Sequence, residues 1–449
     1  MKKKLRSLAL FMTFVLLFSS VSFAVSAEPA PAAAPTRVME VENLRETNAE
    51  TYLMSDGSYE CVVYAYDKYY RAADNTLQLT SSKIVPAAAA ERSGKLSAGK
   101  TQYKNAANAF DVHFAGSGTP EISVAYQGAS VTFSPITSGR NTAAFSLGKV
   151  TGCKTLDELT FTGNNTVTYN NAFLNTDLVY VLENNTLKEY IILNSTGAGN
   201  TFHFQFSLDG VTLESKGKYA EFTDQNGAVL FSLDSLFAVD ANGAFTEKLS
   251  YTFEPVKGTN NIIVTVTLDE AFLKKAAFPV IIDPSVVISS SETQDACVCS
   301  LTPNTNFQSV YQLRTGMDNE YGTRRSYIKF NLPDTIPKHT FTSASLKVEK
   351  LSGADPTIYA RRVEDPWSLA TITWSNQPDS TLVDSSPIAE LNSEGSAWYK
   401  MDVTDIVMSW LNGSRTNYGF ALMDITEDDI NHWTTLYRRV SVRDGNVPR

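Results

Sequence analysis

The sequence predicts an all-β protein, in which a β-rich N-terminal region precedes a C-terminal, jelly-roll-like β-sandwich. Runs rich in β-branched and aromatic residues are separated by turn signals at intervals of about a dozen residues. Within several of these runs apolar and polar residues alternate, which is typical of strands with one buried face. Helical periodicity is confined to two short segments.

The N-terminal region, residues 38–283, is predicted to consist of strands joined by tight turns. Residues 59–66 (YECVVYAY) are rich in β-formers, residues 201–208 (TFHFQFSL) alternate cleanly, and residues 261–268 (NIIVTVTL) predict another strand. Asn and Gly tolerate positive φ, so hairpin turns are predicted at Asp209-Gly210, Asn226-Gly227 and Asn242-Gly243. One short helix is predicted over residues 268–275.

The C-terminal region, residues 285–449, begins after the prolines of residues 279–284 (PVIIDP). One helix is predicted over residues 405–411, with Thr404 as its N-cap and Asn412-Gly413 as its end. The predicted strands, which together indicate a sandwich, are residues 296–300, 327–332, 344–351, 358–363, 397–403 and 419–423.

The first residues predict export from the cell. Residues 1–27 have a basic start, an apolar stretch and small residues at a cleavage site, as a secretory signal peptide does. Residues 28–37 form a Pro/Ala linker, and no later stretch is apolar for long enough to span a membrane. We therefore expect a secreted protein, extracellular or associated with the cell surface.

The charge of the chain is negative. The net charge is −10, and it becomes −14 without residues 1–27, which hold four basic residues and no acidic ones. An acidic chain repels nucleic acid, so no nucleic-acid partner is expected.

The four cysteines are too sparse for a disulfide framework. Cys297 and Cys299 are too close in sequence for a usual zinc knuckle, and on a strand they share one face. They are predicted to be small, half-buried apolar residues. A bridge between Cys61 and Cys153 is left open.

Seven motifs in residues 285–449 resemble, in the same order, those of the DNRLRE (disaggregatase-related) domain, a family grouped with carbohydrate-binding modules. The resemblance implies a β-sandwich that binds glycans. The family closes with a strand after a proline, whereas this sequence ends at Val447-Pro448-Arg449, so that strand is expected to be missing. The motifs are residues 294–298 (QDACV), 302–307 (TPNTNF), 312–316 (QLRTG), 325–332 (RSYIKFNL), Trp367 with 371–378 (TITWSNQP), 401–407 (MDVTDIV) with Trp410, and 417–422 (NYGFAL).

The N-terminal region is similar to the N-terminal segment of Rhs-type, wall-associated proteins of Gram-positive bacteria. Residues 52–59 (YLMSDGSY), 187–193 (LKEYIIL) and 278–284 (FPVIIDP) carry this likeness. The resemblance implies attachment to the wall and no particular chemistry. The YD-repeats of larger relatives do not occur in this sequence, which argues against toxin delivery.

No catalytic template is recognisable, so we predict that the protein is not an enzyme and needs no cofactor. The four histidines form no H-E-x-x-H motif, and there is no G-x-S-x-G nucleophile elbow. Paired carboxylates for glycoside cleavage need only spatial proximity, so a polysaccharide lyase or hydrolase stays the less favoured alternative.

Two acidic groups raise the question of calcium. Residues 318–320 form one, and Asp424 with residues 427–429 forms the other. Neither fits a calcium-binding loop, and solvated turns explain both, so structural calcium is only a minor alternative.

A candidate binding face follows from strand alternation between Arg314 and Arg362, where nine basic residues accompany five acidic ones. Arg binds carboxylates through paired hydrogen bonds and aromatic rings contact sugars through their faces, so the predicted partner is a polysaccharide, with an acidic one favoured. The predicted carbohydrate-binding residues are Arg325, Tyr327, Lys329, Lys347, Tyr359, Arg361 and, in the following loop, Trp367.

The competing interpretation is an ordinary solvated sheet face, which also carries Lys and Arg. Trp374 is predicted to pack in the core with Ile372, and Trp410 to be buried on the helix. We therefore predict a secreted, non-catalytic surface protein that binds polysaccharide. The alternative is a structural or adhesive wall-associated scaffold.

Overall fold

The computed structural model confirms the all-β fold class. The predicted signal peptide lies outside the described residues, as do Cys153 and residues 438–449. The structure describes residues 35–64, 66–97, 101–137, 143–148, 164–183, 186–234, 236–242, 244–288, 294–307, 312–319, 322–333, 342–353, 357–369, 371–383, 387–388, 398–430 and 432–437.

The described part of the N-terminal region contains strands, three short 3₁₀ turns and one short α-helix, α1 (Glu270–Leu273). Asp269 caps this helix by accepting a hydrogen bond from the Ala271 N–H. The strands are β1 (Arg37–Glu40), β2 (Ala49–Met54), β3 (Tyr59–Val63), β4 (Tyr69–Arg71), β5 (Leu77–Leu79), β6 (Ser81–Pro86), β7 (Gln102–Ala107), β8 (Asp111–Ala115), β9 (Ile122–Tyr126), β10 (Ala129–Pro135), β11 (Ala144–Leu147), β12 (Thr166–Phe173), β13 (Thr176–Glu183), β14 (Thr186–Leu193), β15 (Thr201–Asp209), β16 (Thr212–Ser215), β17 (Ala220–Thr223), β18 (Val229–Leu233), β19 (Phe237–Val239), β20 (Phe245–Thr246), β21 (Leu249–Pro255), β22 (Asn261–Leu268), β23 (Val280–Asp283) and β24 (Val286–Ile288).

A small sheet, β1-β2-β3, opens the described chain. β1 begins at Arg37, so the last residue of the predicted linker is already in a strand. The buried carboxylate of Glu50 accepts hydrogen bonds from Lys68 Nζ at 2.7 Å and from Tyr64 Oη at 2.6 Å. Burial opposes ionisation, but these bonds lower the pKa of Glu50 to about 2, so its charge is retained in the folded state.

Two larger sheets pack face to face to form the N-terminal sandwich. Sheet 1 has the order β21-β22-β15-β10-β9-β8-β7-β6, and sheet 2 has the order β11-β12-β13-β14-β24-β18-β17-β16 with β19, β20 and β23 attached. The side chains of β15 alternate between exposed and buried along its whole length, as the sequence predicts. The buried set includes Phe206, whose ring stacks on that of Phe133 with centroids 5.0 Å apart.

The core between these sheets encloses a carboxyl group. Glu189 on β14 is buried, and Tyr180 Oη donates a hydrogen bond of 2.7 Å to its Oε1. Loss of hydration raises the pKa of Glu189 to about 8, so this carboxyl is protonated at neutral pH. On the opposite face of the same sheet, Lys188 Nζ lies 3.2 Å from Asp283 Oδ2 in a buried ion pair.

The C-terminal region forms a second sandwich with one longer helix, α2 (Thr404–Leu411). Val403 occupies the N-cap position, so the predicted cap, Thr404, is instead the first helical residue, while Asn412 ends the helix as predicted. The strands are β25 (Gln294–Cys299), β26 (Gln312–Asp318), β27 (Gly322–Lys329), β28 (Ser345–Gly353), β29 (Ile358–Val363), β30 (Ser380–Thr381), β31 (Pro387–Ile388), β32 (Trp398–Asp402), β33 (Phe420–Asp424) and β34 (Trp433–Tyr437).

These strands form two layers. We call β30-β29-β33-β27-β25 the front sheet and β26-β34-β28-β32-β31 the back sheet; they are joined where β26 pairs with β27. Ile328 and Phe420 of the front sheet meet Val348 and Leu436 of the back sheet in one core, which Trp410 of α2 closes. The hydrophobic face of each sheet is thereby removed from water.

The two sandwiches are in contact with each other. Thr305 Oγ1 donates a hydrogen bond of 2.9 Å to Glu247 Oε2. The small sheet also contacts the C-terminal region, because Asn48 Nδ2, between β1 and β2, donates a hydrogen bond of 3.3 Å to the Asn331 carbonyl. β24, at residues 286–288, pairs with β14 and β18 of sheet 2, so that sheet extends beyond Asp283.

Candidate functional site

The outer face of the front sheet carries five of the predicted carbohydrate-binding residues. Tyr327 lies on β27 between two residues of the interior face, and Arg361 lies likewise on β29. Both are in register with Ala421 of β33, which separates them. On either side of this row stand Arg325 and Lys329 on β27 and Tyr359 on β29.

A long segment covers this face. We call residues 364–369 and 371–378 the flap. Ile372 of the flap is buried against Tyr327, Ala421 and Val298, and forms with them a second apolar cluster outside the sandwich core. The sequence predicts that the outer face of these strands is a solvent-exposed aromatic and basic surface. This prediction is wrong for the centre of the face, because the flap excludes water there.

Tyr327 is the clearest case, with an exposed fraction of 0%. Its ring contacts that of Trp367 at a centroid distance of 5.8 Å, and its hydroxyl donates a hydrogen bond of 2.9 Å to Gln377 Oε1. Burial raises the pKa of Tyr327, so it stays neutral. Tyr327 cannot stack on a sugar unless the flap moves.

Arg325 anchors the flap by charge and by ring contact. Its guanidinium makes two bonds to Glu427, from Nε at 2.8 Å and from Nη2 at 2.6 Å, and a third of 3.2 Å to Gln377. The same group lies 4.7 Å from the ring centroid of Trp374. The hydrogen bonds to Glu427 raise the pKa of Arg325, and its positive charge is already balanced by that carboxylate.

Both flap tryptophans are half-buried and pack against the apolar cluster that contains Ile372 and Tyr327. Trp367, the predicted ligand contact, donates a hydrogen bond of 2.8 Å from Nε1 to the Tyr418 carbonyl and packs on Tyr327. Trp374, predicted to share the core with Ile372, begins a 3₁₀ turn and is half-buried at the rim of the flap. Part of the Trp374 ring packs against the cluster of Ile372, and the rest is accessible to solvent.

The remaining front-sheet residues are more accessible. Arg361 is half-buried and donates to Ser380, from Nε to Oγ at 3.1 Å and from Nη2 to the carbonyl at 2.9 Å. These partners are neutral, in contrast to the carboxylate that balances Arg325. Tyr359 and Lys329 are also half-buried.

Lys347 lies on the opposite side of the sandwich. It belongs to β28 of the back sheet, and its neighbours Leu346 and Val348 face the core, so Lys347 points outward from the back. There it stands directly across from Lys400 of β32. The prediction that Lys347 shares a face with Arg325 and Arg361 is wrong, because β28 and β29 are in different layers.

Several residues that hold the flap belong to the sequence motifs quoted above. The sequence did not indicate that these residues hold a flap. Asn306 Nδ2 donates hydrogen bonds of 2.9 and 2.7 Å to the carbonyls of Leu369 and Ile372. Gln377 Oε1 accepts hydrogen bonds from both Arg325 Nη1 and Tyr327 Oη. We call the hydrogen bonds made by Asn306 and Gln377 the latch. Polar residues in irregular segments of the sequence are the signal that could have predicted it.

Among the described residues no group of three or more His, Cys, Asp or Glu side chains is arranged to hold a metal ion. Asp424 is buried at the end of β33, and its carboxylate lies 3.9 Å from His432 Nδ1. Burial raises the pKa of Asp424. Structural calcium at this acidic group stays an untested prediction.

The geometry is that of a β-sandwich whose front is covered by a tryptophan-bearing flap. Residues 287–435 match the sequence model of carbohydrate-binding module family 96. The C-terminal sandwich is hereafter called the module. The narrower resemblance to the DNRLRE domain stays a prediction. In the described part of the chain no helix is long and apolar enough to cross a membrane.

Curated relatives match over a wider region. The chain is 31% identical over 285 residues to "tRNA nuclease WapA" of Bacillus subtilis (strain 168), which is 58% of this chain and 12% of the relative. It is 30% identical over 285 residues to "tRNA3(Ser)-specific nuclease WapA" of Bacillus spizizenii. The chain therefore spans about an eighth of the length of these relatives.

These relatives contradict the prediction that the protein is not an enzyme, because their names state a nuclease activity. A missing H-E-x-x-H or G-x-S-x-G excludes only the reactions that use those templates. The expected absence of a nucleic-acid partner, argued from net charge, stays untested.

Proposed function

We propose that the protein is a component of the bacterial surface which its C-terminal module attaches to a polysaccharide. The match of residues 287–435 to a carbohydrate-binding module family supports the glycan, and the predicted signal peptide supports export. Similarity to WapA proteins supports the second interpretation of the sequence, in which the N-terminal sandwich is a wall-associated scaffold. In this proposal the N-terminal sandwich is the scaffold, and the module attaches it to the polysaccharide.

The glycan site that we propose lies along the rim of the flap. Trp374 is half-buried there and offers ring surface for a sugar, while its contact with Arg325 fixes the orientation of the indole. Tyr359 stands in the same row of the front sheet as Arg325, two strands away. Two strand spacings are about 9.6 Å, which suits an extended chain of sugars better than a single ring.

Arg361 makes an acidic polysaccharide the favoured partner. Its guanidinium is held by neutral serine oxygens, so its charge is not cancelled as that of Arg325 is. A guanidinium fixed in this way binds a sugar carboxylate at low entropic cost. Lys329, half-buried on the same face, adds to the positive potential.

The class of ligand is tested with the complete chain by affinity electrophoresis in gels that contain polygalacturonate, alginate or a neutral glucan. We expect retardation by the acidic polymers, decreasing as salt is added, and little by the neutral one. Retardation by the neutral glucan alone would replace the acidic ligand with a neutral one. No retardation by any polymer or by isolated cell walls would leave the scaffold without its anchor and refute the proposal.

The nuclease activity named for the relatives is a separate question, since they are much longer than this chain. Incubation of the complete chain with tRNA, followed by electrophoresis of the RNA, tests whether that activity extends to it. The result is independent of glycan binding.

A further inference from the structure

We propose that Cys297 and Cys299 form a redox-active dithiol, which an external disulfide converts into an intrachain disulfide within β25. Both side chains lie on the interior face of this strand together with Phe307, at exposed fractions of 3% and 2%. They pack in one buried cluster, and each thiol shifts the pKa of the other, as expected of neighbouring thiols.

The strand geometry permits the bond. Residues two apart on a strand are separated by about 6.6 Å between Cα atoms, near the upper end of the roughly 4.4–6.8 Å range of disulfides. Their Cβ atoms point to the same side but must approach to about 3.5–4.5 Å for the bond, so the strand has to bend at Val298. In the described part of the chain β25 pairs only with β27, and an edge strand bends more readily than a central one.

The electrostatic surroundings favour a thiolate. Arg324 is in register with Cys299 and is buried beside the pair, where it also bonds to Asp318. The Cys297 thiol donates a hydrogen bond of 3.4 Å to the Arg314 carbonyl, and this bond is lost when the thiol ionises. Interaction with Cys299 and the charge of Arg324 lower the pKa of Cys297 against the effect of burial, while the pKa of Cys299 is raised.

The same surroundings argue against a metal ion. Two thiols are short of the four ligands of a structural zinc site, and in the described residues no third metal-binding side chain joins them. A nearby guanidinium repels a cation and stabilises an anion. An anionic sulfur held next to a second thiol is the arrangement that thiol–disulfide exchange requires.

The exchange balances as follows. The Cys297 thiolate attacks one sulfur of an external disulfide, such as oxidised glutathione, and releases the other half as a thiolate. Cys299 then loses its proton to the solvent and attacks the mixed disulfide at Cys297, releasing the second half. Two protein thiols are oxidised to one disulfide, and one external disulfide is reduced to two thiols.

The effect of this disulfide differs from that of a disulfide that stabilises the fold. A loop of three residues removes little entropy from the unfolded chain, so the bond adds little stability, and a strained bond is easily reduced. Ala296 and Val298 alternate with the cysteines and face the flap cluster. A bend of β25 therefore changes the packing under the flap, which makes the dithiol a modification site coupled to the front of the module.

The test uses the complete chain with Cys61→Ser and Cys153→Ser, so that only the pair remains. The folded protein is incubated with oxidised glutathione, denatured with an alkylating agent and digested with trypsin, which releases residues 276–314 as one peptide. We expect this peptide to lose the mass of two hydrogen atoms and to carry no alkyl group. Persistence of both thiols, or a bond between two chains, overturns the proposal.

Single variants give a readout that a merely structural pair would not produce. With Cys299→Ser, glutathione should remain on Cys297 as a stable adduct, and the rate of its formation should rise with pH. With Cys297→Ser, the adduct on Cys299 should form more slowly at pH 7. Equal rates for the two variants would refute the assignment of Cys297 as the attacking group.

Discussion

The two sandwiches use their sheets differently. In the N-terminal sandwich, sheet 1 buries one face and leaves the other to water along β15. The front sheet of the module is covered by the back sheet on its inner face and by the flap over the centre of its outer face. Alternation along a strand therefore identifies the exposed residues of β15 and misidentifies those at the centre of the front sheet. Alternation of residues along a strand distinguishes its two faces but does not show what packs against each face.

The largest effect is expected from Phe133→Ala in the N-terminal core. Phe133 is 1% exposed and stacks on Phe206, so truncation leaves a cavity and should lower the free energy of unfolding by about 3–5 kcal/mol. Denaturant titration followed by circular dichroism measures it. The matched change in the flap, Ile372→Ala, should loosen the flap while the sandwich core stays folded. A complete loss of the module's fold would show that the flap belongs to the main core.

A pH-dependent effect is expected from Glu189. Its folded pKa, raised to about 8, exceeds the unfolded value near 4.5, so its contribution is complete below pH 4.5 and is lost as pH rises towards 8. Stability should fall by about 1.4 kcal/mol per pH unit across this window. Glu189→Gln should remove that slope, whereas Glu214→Gln at the exposed surface should not. An unchanged slope in Glu189→Gln would contradict burial of a neutral carboxyl.

The latch between flap and sheet should contribute less. Gln377→Ala removes the acceptor of the Tyr327 hydroxyl and leaves that hydroxyl buried without it, at an expected cost of about 1–3 kcal/mol. Tyr327→Phe in the same chain should recover part of the loss, because no donor is then left unbonded. Additive effects in this double-mutant cycle, measured by thermal unfolding, would show that the two groups do not interact.

The smallest effect is expected on the back sheet. Lys347 stands directly across from Lys400, and like charges in such a pair repel. Lys347→Glu should therefore stabilise the module by about 0.5 kcal/mol, with the gain decreasing in high salt. Destabilisation at low salt would indicate that Lys347 has an electrostatic partner on this face.

Particular residues show how far the sequence could predict the fold. The strands at residues 201–208, 261–268 and 358–363 were predicted almost to the residue, because turn dipeptides and alternation are local signals. The same signals placed Lys347 on the wrong side, since alternation within β28 does not tell which layer β28 joins. Layer membership depends on pairing with β32 and β34, which are distant in sequence.

The site was harder to predict for a related reason. Tyr327 and Arg325 were correctly separated from Ile328, yet their burial depends on Gln377, about fifty residues away, and on Glu427, about a hundred residues away. Neither partner belongs to a regular element whose periodicity could be followed. Residues 374–376 form a 3₁₀ turn, so strand alternation does not describe how Trp374 is oriented relative to Ile372.

The most direct test of the proposed glycan site compares Arg361→Gln on the front sheet with Lys347→Gln on the back sheet. Both changes remove one positive charge, so their effects on net charge are identical. Titration of an oligogalacturonate into each complete chain should show affinity reduced by about tenfold or more for Arg361→Gln and nearly unchanged for Lys347→Gln. The reverse order of the two affinities, or no change in either variant, would contradict binding at the rim of the flap.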